Sequence, residues 1–185
     1  ALGRAYDYIY QIGGIFYMNK TLKKVLKTIL IIVIVLLVAV VLFIGYLTVT
    51  EYKPEATETL NIEGSSSKTL AEGDDFLQEV DRNSKRSYKI DEFKKITSSL
   101  TDYSATYGCN YKVAYVPYPL PTIGQVDCGI ATLSAFNVDG SERISLPCPF
   151  KYPIRLGNLK RCLMVNRVAI DGTDKELVLV NLHLE

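Results

Sequence analysis

Apolar and polar positions divide the chain into three regimes. From Thr28 to Thr48 the sequence reads TILIIVIVLLVAVVLFIGYLT, a run without charge in which sixteen residues are Leu, Ile, Val or Phe. As a helix this run rises about 31 Å, close to the ~30 Å hydrocarbon core of a bilayer. At about −0.3 to −0.6 kcal/mol each, its large apolar side chains favour insertion by roughly 5 to 9 kcal/mol. A buried core helix is the competing reading, but length and the lack of charge predict a transmembrane anchor over residues 28–50. The second regime, EYKPEATETLNIEGSSSKTLAEGDD, is rich in Glu, Ser, Thr and Gly. Such a composition buries too little surface to fold alone, which predicts an extended stalk over residues 51–75. From residue 76 to 185 apolar positions turn periodic, and a folded domain is expected.

Within that domain FLQEV reads as a short strand, opening at Phe76 and running into Gln78 and Glu79. In KIDEFKKITSSLTDY, residues Ile90, Phe93, Ile96 and Leu100 recur at helical spacing, with Asp91 and Glu92 in the first turn. YKVAYVPY alternates with period two before Pro117, Pro119 and Pro121 interrupt it. GIATLSAFNV reads as a buried strand, followed by a turn at Asp139-Gly140 into RISLPCPF. RCLMVNRVAI and ELVLVNLHLE flank DGTDK, a hairpin signal at Asp171-Gly172. One helix among several strands makes the class α+β, preceded by one transmembrane helix.

The flanks of the apolar run set an orientation. Lys20, Lys23, Lys24 and Lys27 precede it, and Glu51, Glu55 and Glu58 follow. Cytoplasmic flanks collect Lys and Arg, so residues 18–27 are expected inside and the domain at the extracellular face of the cell membrane. A cleaved signal peptide would have a shorter apolar core and an Ala-x-Ala site, which GYLTVTEYKPEA lacks. Residues 1–17, ALGRAYDYIYQIGGIFY, show no period and precede Met18, so they read as translated leader before the true start.

Charge divides by compartment. The whole chain is +1, but from Glu51 onward 16 Lys and Arg stand against 19 Asp and Glu. A slightly acidic domain does not draw polyanions by its bulk field, so charge gives no support to nucleic acid as a partner. Cys109, Cys128, Cys148 and Cys162 all fall outside the membrane in this topology. An even count permits two disulfides in three pairings, and each cysteine also reads as a small buried apolar residue. Their spacing matches no zinc pattern.

No G-x-S-x-G elbow surrounds a serine, and neither phosphate-cradling glycine loop is present. The candidate chemistry lies at two strand ends. Glu79 closes the first strand, while Asn181 and His183 in VNLHLE lie two apart and share a face opposite Val180, Leu182 and Leu184. Arg82 and Arg86 follow Glu79 within reach of a bound phosphate, though arginines after a strand are ordinarily solvated. KYPIRLGNLKR reads as a soluble basic surface.

Gln78-Glu79, the strand from Gly129 to Ser134 and the N-x-H-L ending, in this order, resemble the endonuclease/exonuclease/phosphatase superfamily of deoxyribonucleases, bacterial sphingomyelinases and inositol polyphosphate phosphatases. The resemblance covers residues 76–185. It implies a four-layer αββα sandwich and metal-assisted attack of water on a phosphate ester. It implies Glu79 as ligand to Mg²⁺, a hard cation suited to carboxylate oxygen. It implies His183 at the scissile phosphate and Asn181 as support for that site.

The family opens with a T-x-N-I-like strand and a helix, whereas here AEGDD leads straight into FLQEV. It also continues to D-x-N and S-D-H motifs beyond the N-x-H-L. The single histidine cannot fill two catalytic places. The resemblance therefore implies the N-terminal half of a sandwich whose first strand and helix are missing, one sheet face uncovered and turnover not expected. A non-catalytic membrane-tethered binding module is the alternative, and a complementing chain would be a further partner.

Overall fold

The computed structural model describes residues 20–66 and 74–184. The leader expected at residues 1–17 lies outside the described residues. The chain forms two compact units, one ending at Gly45 and one beginning at Tyr46. Helix α1 (Lys20–Val49) contains the whole charge-free run. It is long and apolar enough to cross a membrane by length and composition. Its final turn closes where Thr50 donates to the Tyr46 carbonyl from both its amide (3.0 Å) and its hydroxyl (2.8 Å).

The second unit is α+β, with two four-stranded antiparallel sheets. The first sheet orders β1 (Thr57–Thr59), β6 (Gly140–Ser145), β7 (Cys162–Ala169) and β8 (Glu176–Leu182). The second orders β2 (Ile62–Glu63), β4 (Ser104–Val116), β5 (Gly124–Ser134) and β3 (Asp74–Asp81). The β7–β8 hairpin forms as the sequence predicts, with Gly172 in the left-handed region at φ +77°. Helix α2 (Glu92–Ser99) begins where the Asp91 carboxylate accepts from the Lys94 amide at 2.9 Å.

Residues 51–66 correct the expected stalk. β1 pairs with β6 and β2 with β4, so this stretch gives one strand to each sheet. Between them Leu60 packs on buried Ile130, Cys162 and Met164, the apolar centre between the sheets. A short polar segment folds here because two sheet edges satisfy its backbone and one side chain enters the core. Gly64, at φ +73°, turns the chain where a Cβ would meet the Tyr103 carbonyl oxygen at 2.6 Å.

Polar side chains tie the sheets together. The fully buried Arg143 of β6 donates to the carbonyls of Cys109 (2.7 Å) and Lys160 (2.9 Å) and to Ser145 Oγ (2.7 Å). Thr106 Oγ1 of β4 donates to Asn166 Oδ1 of β7 at 2.9 Å. On the outer side of the second sheet, Phe93 and Ile96 of α2 cover Val80, Ala105, Ala131 and Leu133. Among the described residues no helix covers the outer side of the first sheet, where Val178 and Val180 remain 46% and 45% exposed. The two sheets and one covering helix are therefore present, and the four-layer arrangement is not completed. All four cysteines are free thiols, which removes the disulfide alternatives.

Candidate functional site

The two strand ends singled out in the sequence meet. Gln78 Nε2 in β3 donates to the Leu182 carbonyl at the end of β8, at 3.0 Å. Beside this bond Glu79 and His183 line one cavity of about 170 Å³, together with Arg86, Asn110, Tyr111 and Arg161. That is below the roughly 300–1,000 Å³ of ordinary small-molecule pockets, so the space suits a phosphate-sized group rather than a nucleotide.

A bulge aims Glu79 into the cavity. Leu77 faces Ala131 and Val80 faces Gly129, so Gln78 and Glu79 together occupy the register opposite Ile130. The extra residue is absorbed by Glu79 itself, at φ +55°. A non-glycine residue there is strained, and such strain concentrates at functional positions. The Glu79 carboxylate faces the Arg86 guanidinium at 3.5 Å.

Arg86 is fixed mainly by the buried Asp81, with Nε to Oδ2 at 2.9 Å and Nη2 to Oδ1 at 3.1 Å. Ser84 Oγ donates to the same carboxylate at 2.7 Å and accepts from the Asp127 amide at 2.9 Å. The hydrogen bonds to Asp81 hold the Arg86 guanidinium still more firmly charged. Arg86 could be marked in the sequence as within reach of a phosphate, but its tie to Asp81 and Ser84, and the place of Arg161 from the segment before β7, could not. The one local signal of that tie is the spacing of Asp81, Ser84 and Arg86 through a single turn.

His183 lies just past β8, its carbonyl accepting from Arg161 Nη1 at 2.6 Å. Its Nδ1 is buried and has no hydrogen-bond partner. An orphaned buried polar atom beside a cavity needs a ligand atom or a water to satisfy it. The lining therefore offers two guanidiniums, one imidazole and one carboxylate.

Asn181 is placed elsewhere. Its amide donates to the Ala131 carbonyl at 2.8 Å, and it is buried between the sheets. It shares a face with His183 as the alternation predicts, but that face is the inter-sheet one, and only His183 passes the strand end into the cavity. Arg82 also lies apart. It ion-pairs with Asp91 at 3.1 Å and stacks over Phe93 and Tyr107 at 5.5 and 5.2 Å, joining the loop to α2.

Among the described residues no three His, Cys, Asp or Glu side chains cluster so as to hold a metal ion. The cation facing Glu79 is Arg86. Asp81 pairs with the same guanidinium, so the two carboxylates nearest the expected Mg²⁺ position are both engaged by Arg86.

No family model, no curated protein and no solved structure matches the chain. The resemblance to the endonuclease/exonuclease/phosphatase superfamily therefore rests on Gln78-Glu79, the Gly129 to Ser134 strand and the N-x-H-L ending alone.

Proposed function

We propose that the folded unit is part of a membrane-anchored phosphodiesterase or phosphatase of that superfamily, carried on the extracellular side, and that its cavity recognises a phosphate group without hydrolysing it. The observation that carries this reading is the meeting of Glu79 and His183, from two different sheets, in one phosphate-sized cavity with Arg86 and Arg161. The bare outer side of the first sheet is where the fourth layer of an αββα sandwich would sit. The lysine-rich flank before α1 supports the orientation. Recognition is favoured over turnover because Glu79 and Asp81 are both ion-paired with Arg86.

In this arrangement Arg161 and Arg86 attract the phosphate oxygens, and the His183 imidazole lines the same space. Glu79 and Asp81 keep Arg86 from following the ligand out of the cavity. The single histidine makes the test direct, because its imidazole gives one side-chain NMR signal. Inorganic phosphate added to the full chain in lipid nanodiscs should shift that signal, and Arg161→Gln should weaken the effect about tenfold, the loss of one charge-assisted hydrogen bond. An unmoved imidazole signal from a folded sample would overturn recognition. Mg²⁺-dependent hydrolysis of a chromogenic phosphodiester, lost in Glu79→Ala, would overturn the absence of turnover.

A further inference from the structure

We infer that the segment from Phe150 to Arg155 rests on the lipid headgroup layer beside the exit of α1. The inference relies on α1 spanning a bilayer and goes beyond it by assigning a surface of the folded unit to the same membrane. The charge-free run ends at Thr48 and the first charge after it is Glu51, so this stretch of chain stands at the boundary between hydrocarbon and headgroups.

Two contacts fix the Phe150–Arg155 segment to that boundary. The hydroxyls of Thr48 and Tyr152 lie 3.4 Å apart. Three residues past Thr48, the Glu51 carboxylate is only 5% exposed and lies 3.3 Å from Arg155 Nε and 3.2 Å from Lys160 Nζ. Both contacts fall within the unit that begins at Tyr46. The chain thus leaves the helix and is held at once by the segment in question.

The segment's surface has the chemistry of a membrane interface. Phe150, Tyr152 and Ile154 are 44%, 55% and 64% exposed, costly in water but favourable among headgroups and upper acyl chains. Lys151 is exposed between them, available to a lipid phosphate. An aromatic ring with its hydroxyl at the polar boundary, flanked by an aliphatic residue and a cation, is the pattern of interfacial anchors. As sequence alone this stretch read as a solvated basic loop, because nothing local shows that Tyr152 meets Thr48.

The chain contains no tryptophan, so single-Trp variants report one position each. Tyr152→Trp, Ile154→Trp, Val178→Trp and Leu36→Trp would be made in the full chain and reconstituted in phosphatidylcholine–phosphatidylglycerol vesicles carrying spin-labelled lipids of known depth. The expected result is quenching of Tyr152→Trp and Ile154→Trp by the shallow label, with emission to the blue of Val178→Trp and weaker quenching by aqueous acrylamide. Leu36→Trp should be quenched by the deep label. If Leu36→Trp behaves so while the Tyr152 and Ile154 variants respond to acrylamide as Val178→Trp does, the span stands and this inference falls. Protection from acrylamide without quenching by any lipid label would mean that protein covers the segment, and would also overturn it. A Leu36→Trp that no deep label quenches would remove the span and the inference together.

Discussion

The two sheets differ in what covers them. The outer side of the second sheet is closed by α2, where Phe93 sits in a cluster with Val80, Ala105, Ala131 and Leu133. The outer side of the first sheet leaves Val178 and Val180 nearly half exposed. Strands of similar alternation thus end in opposite environments. The difference teaches that alternation marks which side chains share a face, whereas cover is decided by elements distant in sequence. An uncovered apolar sheet face is a site for association.

The largest stability effect is expected at α2. Phe93→Ala should cost about 3–5 kcal/mol in chemical denaturation of the full chain, the usual range for a buried aromatic. A loss below ~1 kcal/mol would mean that α2 contributes little cover. Asn181→Ala should cost about 1–3 kcal/mol, since the Ala131 carbonyl would lose its buried donor. The phosphate-induced shift of His183 should survive in that variant, which separates a sheet-tying role from a role in the cavity.

Alkaline pH probes the long β4–β5 pair of the second sheet. Burial, with the Asp127 carboxylate adding to it, pushes the Cys109 thiol up to about 11, and burial pushes Cys128 up to about 12, from an ordinary 9.0. Above pH ~9 the unfolded chain releases these protons while the folded one retains them, so stability falls as pH rises through this range. Melting temperatures measured at increasing pH should decline there, and the decline should shrink in a Cys109→Ala, Cys128→Ala double variant. The smallest stability effect belongs to the bare face: Val180→Lys should change stability by no more than about 0.5 kcal/mol. Its readout is light scattering, in which self-association should decrease.

Much of this architecture was legible because its signals are local. The long α1 helix follows from a charge-free run, the β7–β8 hairpin from Asp171-Gly172, and the start of α2 from Asp91 and Glu92, of which Asp91 proves to be the cap. β1 and β2 were not legible, because Thr57–Thr59 and Ile62–Glu63 carry no period of their own and pair only once β6 and β4 provide edges. The site divides the same way. Glu79 and His183 could be marked as strand ends, and Asn181 could be placed on the face of His183. That this face looks into the sheet interface depends on contacts such as Gln78 with Leu182, 104 residues apart, and Arg161 reaches the cavity through His183, 22 residues on.

The docking of Glu51 has a consequence for how the folded unit is tied to the chain before it. A flexible 25-residue stalk over positions 51–75 would let a tethered domain wander over roughly 25–30 Å. With Glu51 held between Arg155 and Lys160, that slack is gone at its first residue. Whatever fixes the chain at Thr48 therefore fixes the β1–β6 edge of the folded unit with it, with no free tether between them.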